Sequence, residues 1–315
     1  MSKRWLATRT LEAVDNAIAR DSGSAYRVYL GQVLPHMGDA YRAGEDGYRT
    51  HLGASVVGGE CARAVAYGWH WALKRPPRGR KGEDGVHAHS RMARLWNRGH
   101  LEEARFIACL LAAGIQVYQQ TEDGNQFRIS AFGGHFGGST DGVLLGVPDL
   151  PPGIPCLAEF KTHGSKSFKK LEEDGVLASK ETHYVQMQLY MGKRGLQYAL
   201  YLAVNKDTDD LYAEIVRYDG TTDAAYLERA RSIIFDDTLP QRIKGASPGF
   251  HVCKYLCDFK DVCFHTVKPD RNCRTCAHWR PLEDGTSVCT LTGAVTDKAA
   301  QVAGCASYEL SVKLR

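Results

Sequence analysis

Nowhere in the 315 residues is there a run of the roughly 18 uninterrupted apolar residues that a membrane-spanning helix needs. Met1 to Gly23 mixes Lys, Arg, Asp and Glu throughout and lacks the apolar stretch of a secretory signal. Together these absences predict a cytoplasmic protein with no membrane partner. Internal repeats and low-complexity tracts are missing too, which excludes a solenoid or a disordered spacer. An excess of one charge is also lacking. The net charge is only +4, so whole-molecule charge selects no partner and local clusters must carry any recognition.

Cysteine, by contrast, is plentiful. There are ten, most of them between Cys253 and Cys305. Without an export signal, thiols this closely spaced read as metal ligands rather than disulfides. The length suits one large catalytic domain over 1–268 and a small module over 269–315.

Helical spacing of apolar residues predicts helices over 11–18, 26–42 with a break near Pro35, 62–73, 90–113, 182–193 and 224–234. Strands are predicted over 115–119, 126–132, 141–147, 156–161, 197–204 and 211–218. The stretch 75–85 reads as a basic Gly/Pro-rich loop and 162–180 as a Lys-rich loop. The order gives an α/β (α+β) fold with a central mixed sheet flanked by helices.

Glu159 and Lys161 stand two apart on a strand, so a carboxylate and an ammonium share one face. Asp141 heads the preceding strand inside Gly137-Gly138-Ser139-Thr140-Asp141-Gly142, and a tight hairpin brings it beside Glu159. Two carboxylates on neighbouring strands make a hard oxygen site that suits Mg²⁺ or Mn²⁺ rather than zinc. Glu-x-Lys alone is also the pattern of an ordinary surface ion pair. Its companions give it meaning. Glu103 falls on the apolar stripe of Phe106, Ile107, Leu110 and Leu111, where a carboxylate needs a partner, a metal, or a position at the stripe's edge from which to reach water. His100 and Glu102 are weaker candidates for the same role. Gln186 and Tyr190 lie four apart on one helix face.

Gly99-x-x-x-Glu103, Gly138-x-x-Asp141-Gly142, Glu159-Phe160-Lys161 and Gln186-x-x-x-Tyr190 occur in that order. The set resembles the four motifs of the PD-(D/E)xK nuclease superfamily, in its RecB-like and lambda-exonuclease-like branch. The segment from His51 through Cys61-x-Arg63 to Trp71 is similar to the start of phage-encoded exonucleases of that branch. The likeness spans about residues 51 to 265. It implies a restriction-endonuclease-like core and Mg²⁺- or Mn²⁺-dependent hydrolysis of DNA phosphodiesters by an exonuclease of phage recombination, replication or repair. A recombination or single-strand-annealing protein is the implied partner, and host cytoplasm the location. Glu103, Asp141 and Glu159 are the implied metal ligands. Lys161 is the implied aid to the attacking water, with Gln186 and Tyr190 supporting substrate or Lys161. Many RecB-like relatives carry His where Glu103 stands, and Glu leans toward the lambda-exonuclease version. Lys166, Lys169, Lys170 and Lys180, together with Arg63, are candidate DNA contacts. Arg75, Arg78, Arg80 and Lys81 form a second basic patch.

Cys253, Cys257 and Cys263 need a fourth ligand, and Cys61 is the candidate. The arrangement resembles the split cysteine set of AddB-type and CRISPR-associated RecB-like nucleases, which implies a 4Fe–4S cluster. That family usually places two residues after the first of the three cysteines, and here there are three, which keeps zinc open. Cys273-x-x-Cys276 with Cys289 and Cys305 has the look of a Cys₄ zinc ribbon, over which Trp279 and Tyr308 can pack; His265 and His278 are substitute ligands. Cys109 and Cys156 read as core. Two other classes stand beside the nuclease reading: a catalytically silent nucleic-acid-binding protein of the same fold, and a cysteine-rich interaction protein.

Overall fold

A computed structural model describes residues 4–41, 47–74, 85–122 and 126–315. The basic patch of Arg75, Arg78, Arg80 and Lys81 lies outside them. The chain forms two compact units, each assembled from three separate stretches.

The first unit takes Met1–Gly44, Pro76–Ile129 and Ser139–Gly220. Its sheet runs β1 (Gln116–Tyr118), β2 (Gly142–Leu145), β3 (Cys156–His163), β4 (Tyr198–Asn205) and β5 (Leu211–Arg217), in that spatial order. The β3–β4 pair is parallel and the other three pairs are antiparallel. This is the mixed sheet flanked by helices that the sequence predicts. A parallel pair needs a crossover, and two helices supply it. They are α3 (Ser165–Ser179) and α4 (Glu181–Arg194), preceded in the chain by α1 (Thr8–Arg20) and α2 (Gly85–Ala112).

Residues on β3 alternate between two environments. Cys156, Ala158 and Phe160 join a core with Phe106, Ile107 and Leu110 of α2, where the Phe106 and Phe160 rings stack at 5.2 Å. Each such ring contributes about 1.5–3 kcal/mol by burial. Glu159, Lys161 and His163 face the other way. The end of α2 follows from Gly114 at φ 82°: Gly114 N–H donates to Leu111 O and Ile115 N–H to Leu110 O, which closes the last turn. Asp149 caps α1, accepting from Thr10 N–H at 2.8 Å and from its hydroxyl at 2.7 Å.

The Lys-rich stretch is a correction to the sequence reading. It is a helix, α3, because Phe168, Leu171 and Val176 bury one side and leave Lys166, Lys169 and Lys170 on the exposed side. The helix breaks at Gly175 (φ 75°), where a Cβ would meet Arg4 Cδ at 2.7 Å. A short strand, Phe136–Ser139, also escapes the sequence reading. Its glycines conceal the alternation, and it pairs in parallel with Leu52–Gly53.

The second unit takes Glu45–Arg75, Ser130–Gly138 and Thr221–Arg315. Tyr67, Ala72, Phe259, Val262, Cys263 and Leu314 form its core. The sequence boundary at 268/269 is not where the units divide, and no distinct cysteine-rich C-terminal module stands apart. Arg274 gives the physical reason. Its guanidinium donates to Thr50 O (2.7 Å), Trp69 O (3.1 Å) and Gln301 Oε1 (2.8 Å), and lies over the rings of Trp69, Trp71 and Trp279. The segment after 268 is thereby bound into the same body as residues 47–74.

Candidate active site and cysteine sites

The β2–β3 register sets Gly142 opposite Ala158, which places Asp141 at the level of Glu159 and Phe160. Phe160 N–H donates to Asp141 Oδ2 at 2.7 Å. Gly142 follows with φ 154°, and its missing Cβ, which would lie 2.9 Å from Tyr118 O, lets β1 pack close beside it. Glu159 is fully buried. Lys161 Nζ lies against the buried Glu159 Oε1 and pairs with it. Gln186 Nε2 donates to Glu159 Oε2 (3.3 Å) and to Tyr190 Oη (3.4 Å).

Glu103 arrives from α2. The stripe reading needs adjustment here. Glu102 is the buried carboxylate of the pair, 3.3 Å from Arg105, while Glu103 keeps 22% side-chain exposure at the stripe's edge. From that edge it lines an open cleft of about 630 Å³ together with Lys161, His163, Lys180, His183 and Lys206. His100 Nδ1 stands 3.6 Å from Glu103 Oε1.

Burial first, and then the Glu159 charge, holds the Asp141 carboxyl well above the usual carboxylate range. Burial also raises Glu159, with Lys161 pulling the other way. Burial works against the Lys161 ammonium, but the Glu159 and Asp141 carboxylates outweigh it and push it up to about 12. The site therefore concentrates carboxylates around one permanent cation. Such an array calls for further positive charge. Among the described residues no three His, Cys, Asp or Glu side chains stand together as a ready-made metal shell.

Several residues on or behind the cleft wall escape the site reading of the sequence. His163 continues the face of Glu159 and Lys161, and His183 lies three residues before Gln186 on α4; both periods were readable. Tyr201, opposite Glu159 in the β3–β4 register, was not, because only strand pairing puts it there. Of the candidate DNA contacts, Lys166, Lys169 and Lys170 do not line the cleft, whereas Lys180 does, beside Lys206, which the sequence reading did not single out. Arg63 Nε donates to Pro240 O at 2.8 Å in the second unit.

Cys61, Cys253, Cys257 and Cys263 line one small cavity of about 20 Å³ in the second unit. Cys61 precedes the helix Ala62–Trp69, and Arg242 Nε donates to Cys263 Sγ at 3.3 Å. Burial, then the neighbouring thiols, raises Cys253 and Cys257. In the other set, burial and then Cys276, Cys305 and Cys289 raise Cys273. Cys289 goes the opposite way, lowered by the Thr292 hydroxyl and by the Thr292 and Leu291 N–H groups turned toward its sulfur. Such a turn suits a thiolate. Trp279 packs against Arg274, and the Tyr308 hydroxyl is 3.2 Å from Thr275 Oγ1. Cys156 is buried as expected, while Cys109 is only half-buried.

No protein-family model matches the chain, and no curated protein matches it. Solved structures similar to it include these three. The crystal structure of SSO0001 is 17% identical, covers 77% of this chain and 97% of its own, and has a TM-score of 0.39. An alkaline exonuclease (LHK-Exo) from Laribacter hongkongensis is 18% identical over 59% of this chain and 87% of its own, with a TM-score of 0.37. LHK-Exo in complex with dAMP is 16% identical over 58% and 86%, with a TM-score of 0.36. At TM-scores this low the likenesses carry no functional weight, and the chemistry of the site rests on this chain's own residues.

Proposed function

We propose that this protein is a metal-dependent DNA nuclease, and by its resemblance an exonuclease. The observation that carries the reading is that Glu103 and Lys161, on the cleft wall, stand within electrostatic reach of Asp141 and Glu159, which are buried behind it. All the anionic donors are carboxylate oxygens, so Mg²⁺ or Mn²⁺ fits the set. When bound, such a cation polarises a phosphate oxygen and lowers the pKa of a water. Lys161, whose ammonium the Glu159 and Asp141 carboxylates favour, acts as an electrostatic stabiliser. Gln186 holds Glu159 Oε2, and Tyr190 holds Gln186. Incubated with linear duplex DNA and Mg²⁺ or Mn²⁺, the protein is expected to degrade it, and Glu159→Ala to leave it intact. Equal degradation by both, or by neither on linear, nicked, circular and single-stranded DNA, ends this reading.

The Cys61, Cys253, Cys257 and Cys263 set is proposed to hold a metal that closes the second unit. Resemblance points to a 4Fe–4S cluster. The three residues between Cys253 and Cys257, where two are usual, make zinc the alternative. Cys273, Cys276, Cys289 and Cys305 are proposed as a structural zinc site. Anaerobically purified protein is expected to contain metal at both sets, with Cys257→Ser and Cys276→Ser each losing one complement and several degrees of Tm. Brown protein with iron and sulfide selects the cluster; colourless protein with zinc alone removes it; metal-free protein of unchanged Tm removes both sites.

A further inference from the structure

The cleft wall beyond Lys161 carries a continuous hydrogen-bond chain that the nuclease reading does not use. Lys180 Nζ donates to Ser167 O (3.2 Å) and Ser167 Oγ (2.6 Å). Ser167 Oγ is 3.3 Å from His163 Nδ1. His163 Nε2 and His183 Nδ1 each lie 2.9 Å from Tyr201 Oη.

The chain admits two polarities, because a hydroxyl oxygen can accept twice; the one that an anion in the cleft selects has Ser167 Oγ accepting from Lys180 and donating its proton to His163 Nδ1. A neutral His163 then carries its proton on Nε2 and donates to Tyr201. The Tyr201 proton therefore goes to His183 Nδ1. A neutral His183 must carry its own proton on Nε2, and among the described residues nothing pairs with that nitrogen. Both rings are neutral near neutral pH: burial, then Lys180 and Lys161, pushes His163 down to about 4, and burial, then Lys161, His163 and Lys180, pushes His183 down to about 3. The chain thus ends in a donor at each side, one at Lys180 and one at His183, and both residues line the cleft. With Lys161 and Lys206 beside them and Glu103 the only carboxylate lining the cleft among the described residues, this wall selects an anion with several acceptor oxygens.

We propose that Lys180 and His183 form a phosphodiester clamp for the nucleic-acid backbone, with His183 held as a donor by the Ser167–His163–Tyr201 relay. The clamp rests on the nuclease reading, since it takes the same polymer into the same cleft. Its two halves differ in charge and so leave different signatures. Neutralising Lys180 removes one phosphate-paired cation, so the slope of log affinity against log salt should fall by about 0.9. Removing the neutral His183 donor should lower affinity about ten-fold at every salt concentration and leave the slope alone.

The test is anisotropy of a fluorescein-labelled duplex oligonucleotide with the full chain in EDTA, across a salt series. Lys180→Gln is expected to give the shallower slope and His183→Ala the parallel loss. His183→Gln, whose amide still offers a donor, is expected to recover most of that loss. An unchanged slope for Lys180→Gln, or unchanged affinity for His183→Ala, overturns the clamp. So does a His183→Gln variant that binds no better than His183→Ala. If His183→Ala does not fold, the Lys180→Gln slope and near-parental binding by His183→Gln decide. DNA cleavage by both variants at the parental kcat and KM also overturns the clamp but leaves the nuclease reading standing, whereas a parent that binds no DNA removes both.

Discussion

Replacing Lys161 by Met is expected to lower the rate of DNA cleavage by about 10²- to 10³-fold, the usual cost of removing one preorganised charge from a reacting centre. The same change should weaken the metal-free fold. Glu159 is fully buried, and Lys161 is the cation against it. Leaving a buried charge uncompensated costs about 3–5 kcal/mol, and the partial exposure of the lysine places the loss at the low end. The pH dependence should distinguish this from a packing defect. Glu159 without its lysine can regain neutrality by taking up a proton, so the stability of Lys161→Met should recover as pH falls into the raised range of that carboxyl. Thermal unfolding in EDTA across pH, alongside single-turnover cleavage in Mn²⁺, measures both effects. Parental cleavage by Lys161→Met would falsify the role given to this side chain.

Asp141→Asn is expected to do the reverse to stability and the same to activity. The Asp141 carboxyl is raised by burial and by Glu159. A group whose pKa is higher folded than unfolded contributes stability that is complete below the unfolded value and is lost as pH rises through the folded one. In EDTA the parent should therefore lose stability from the acid side toward neutral pH, and Asn, which cannot ionise, should remove that loss. Each pKa unit between the states is worth about 1.4 kcal/mol. In EDTA at neutral pH the Tm of Asp141→Asn should therefore exceed that of the parent. Mg²⁺ or Mn²⁺ should raise the Tm of the parent, because a cation bound only to the folded state shifts the equilibrium. It should raise that of Asp141→Asn much less. A Tm that rises with the metal equally in both proteins would remove Asp141 from the ligand set. Stabilisation gained by disabling a site is the expected trade where like charges are held together for chemistry.

Much of this arrangement was readable because the two backbone periods are local. A spacing of two puts Glu159 and Lys161 on one strand face, and a spacing of four puts Gln186 and Tyr190 on one helix face. The Lys-rich stretch misled because its apolar residues, Phe168, Leu171 and Val176, are few and Gly175 interrupts their spacing. Phe136–Ser139 was hidden by the two glycines at its centre. Glu102 and Glu103 are adjacent, and both can be drawn near the stripe. Packing against Arg105 at one side and the cleft at the other separates their roles.

By itself the sequence determined which side chains share a face, where the long helix stops and which residue types are available for chemistry. Those follow from backbone periods and from single residues such as Gly114, which act within a turn or two. Only the tertiary structure decided which faces meet. The β3–β4 register brings Tyr201 beside Glu159 and so joins His163 to His183. The packing of α2 carries Glu103 to the cleft. The fold of the second unit lines one cavity with Cys61 and three cysteines far along the chain, and draws Arg274 between tryptophans. Each is a meeting of residues distant in sequence, set by burial summed over a whole core, which no local pattern records.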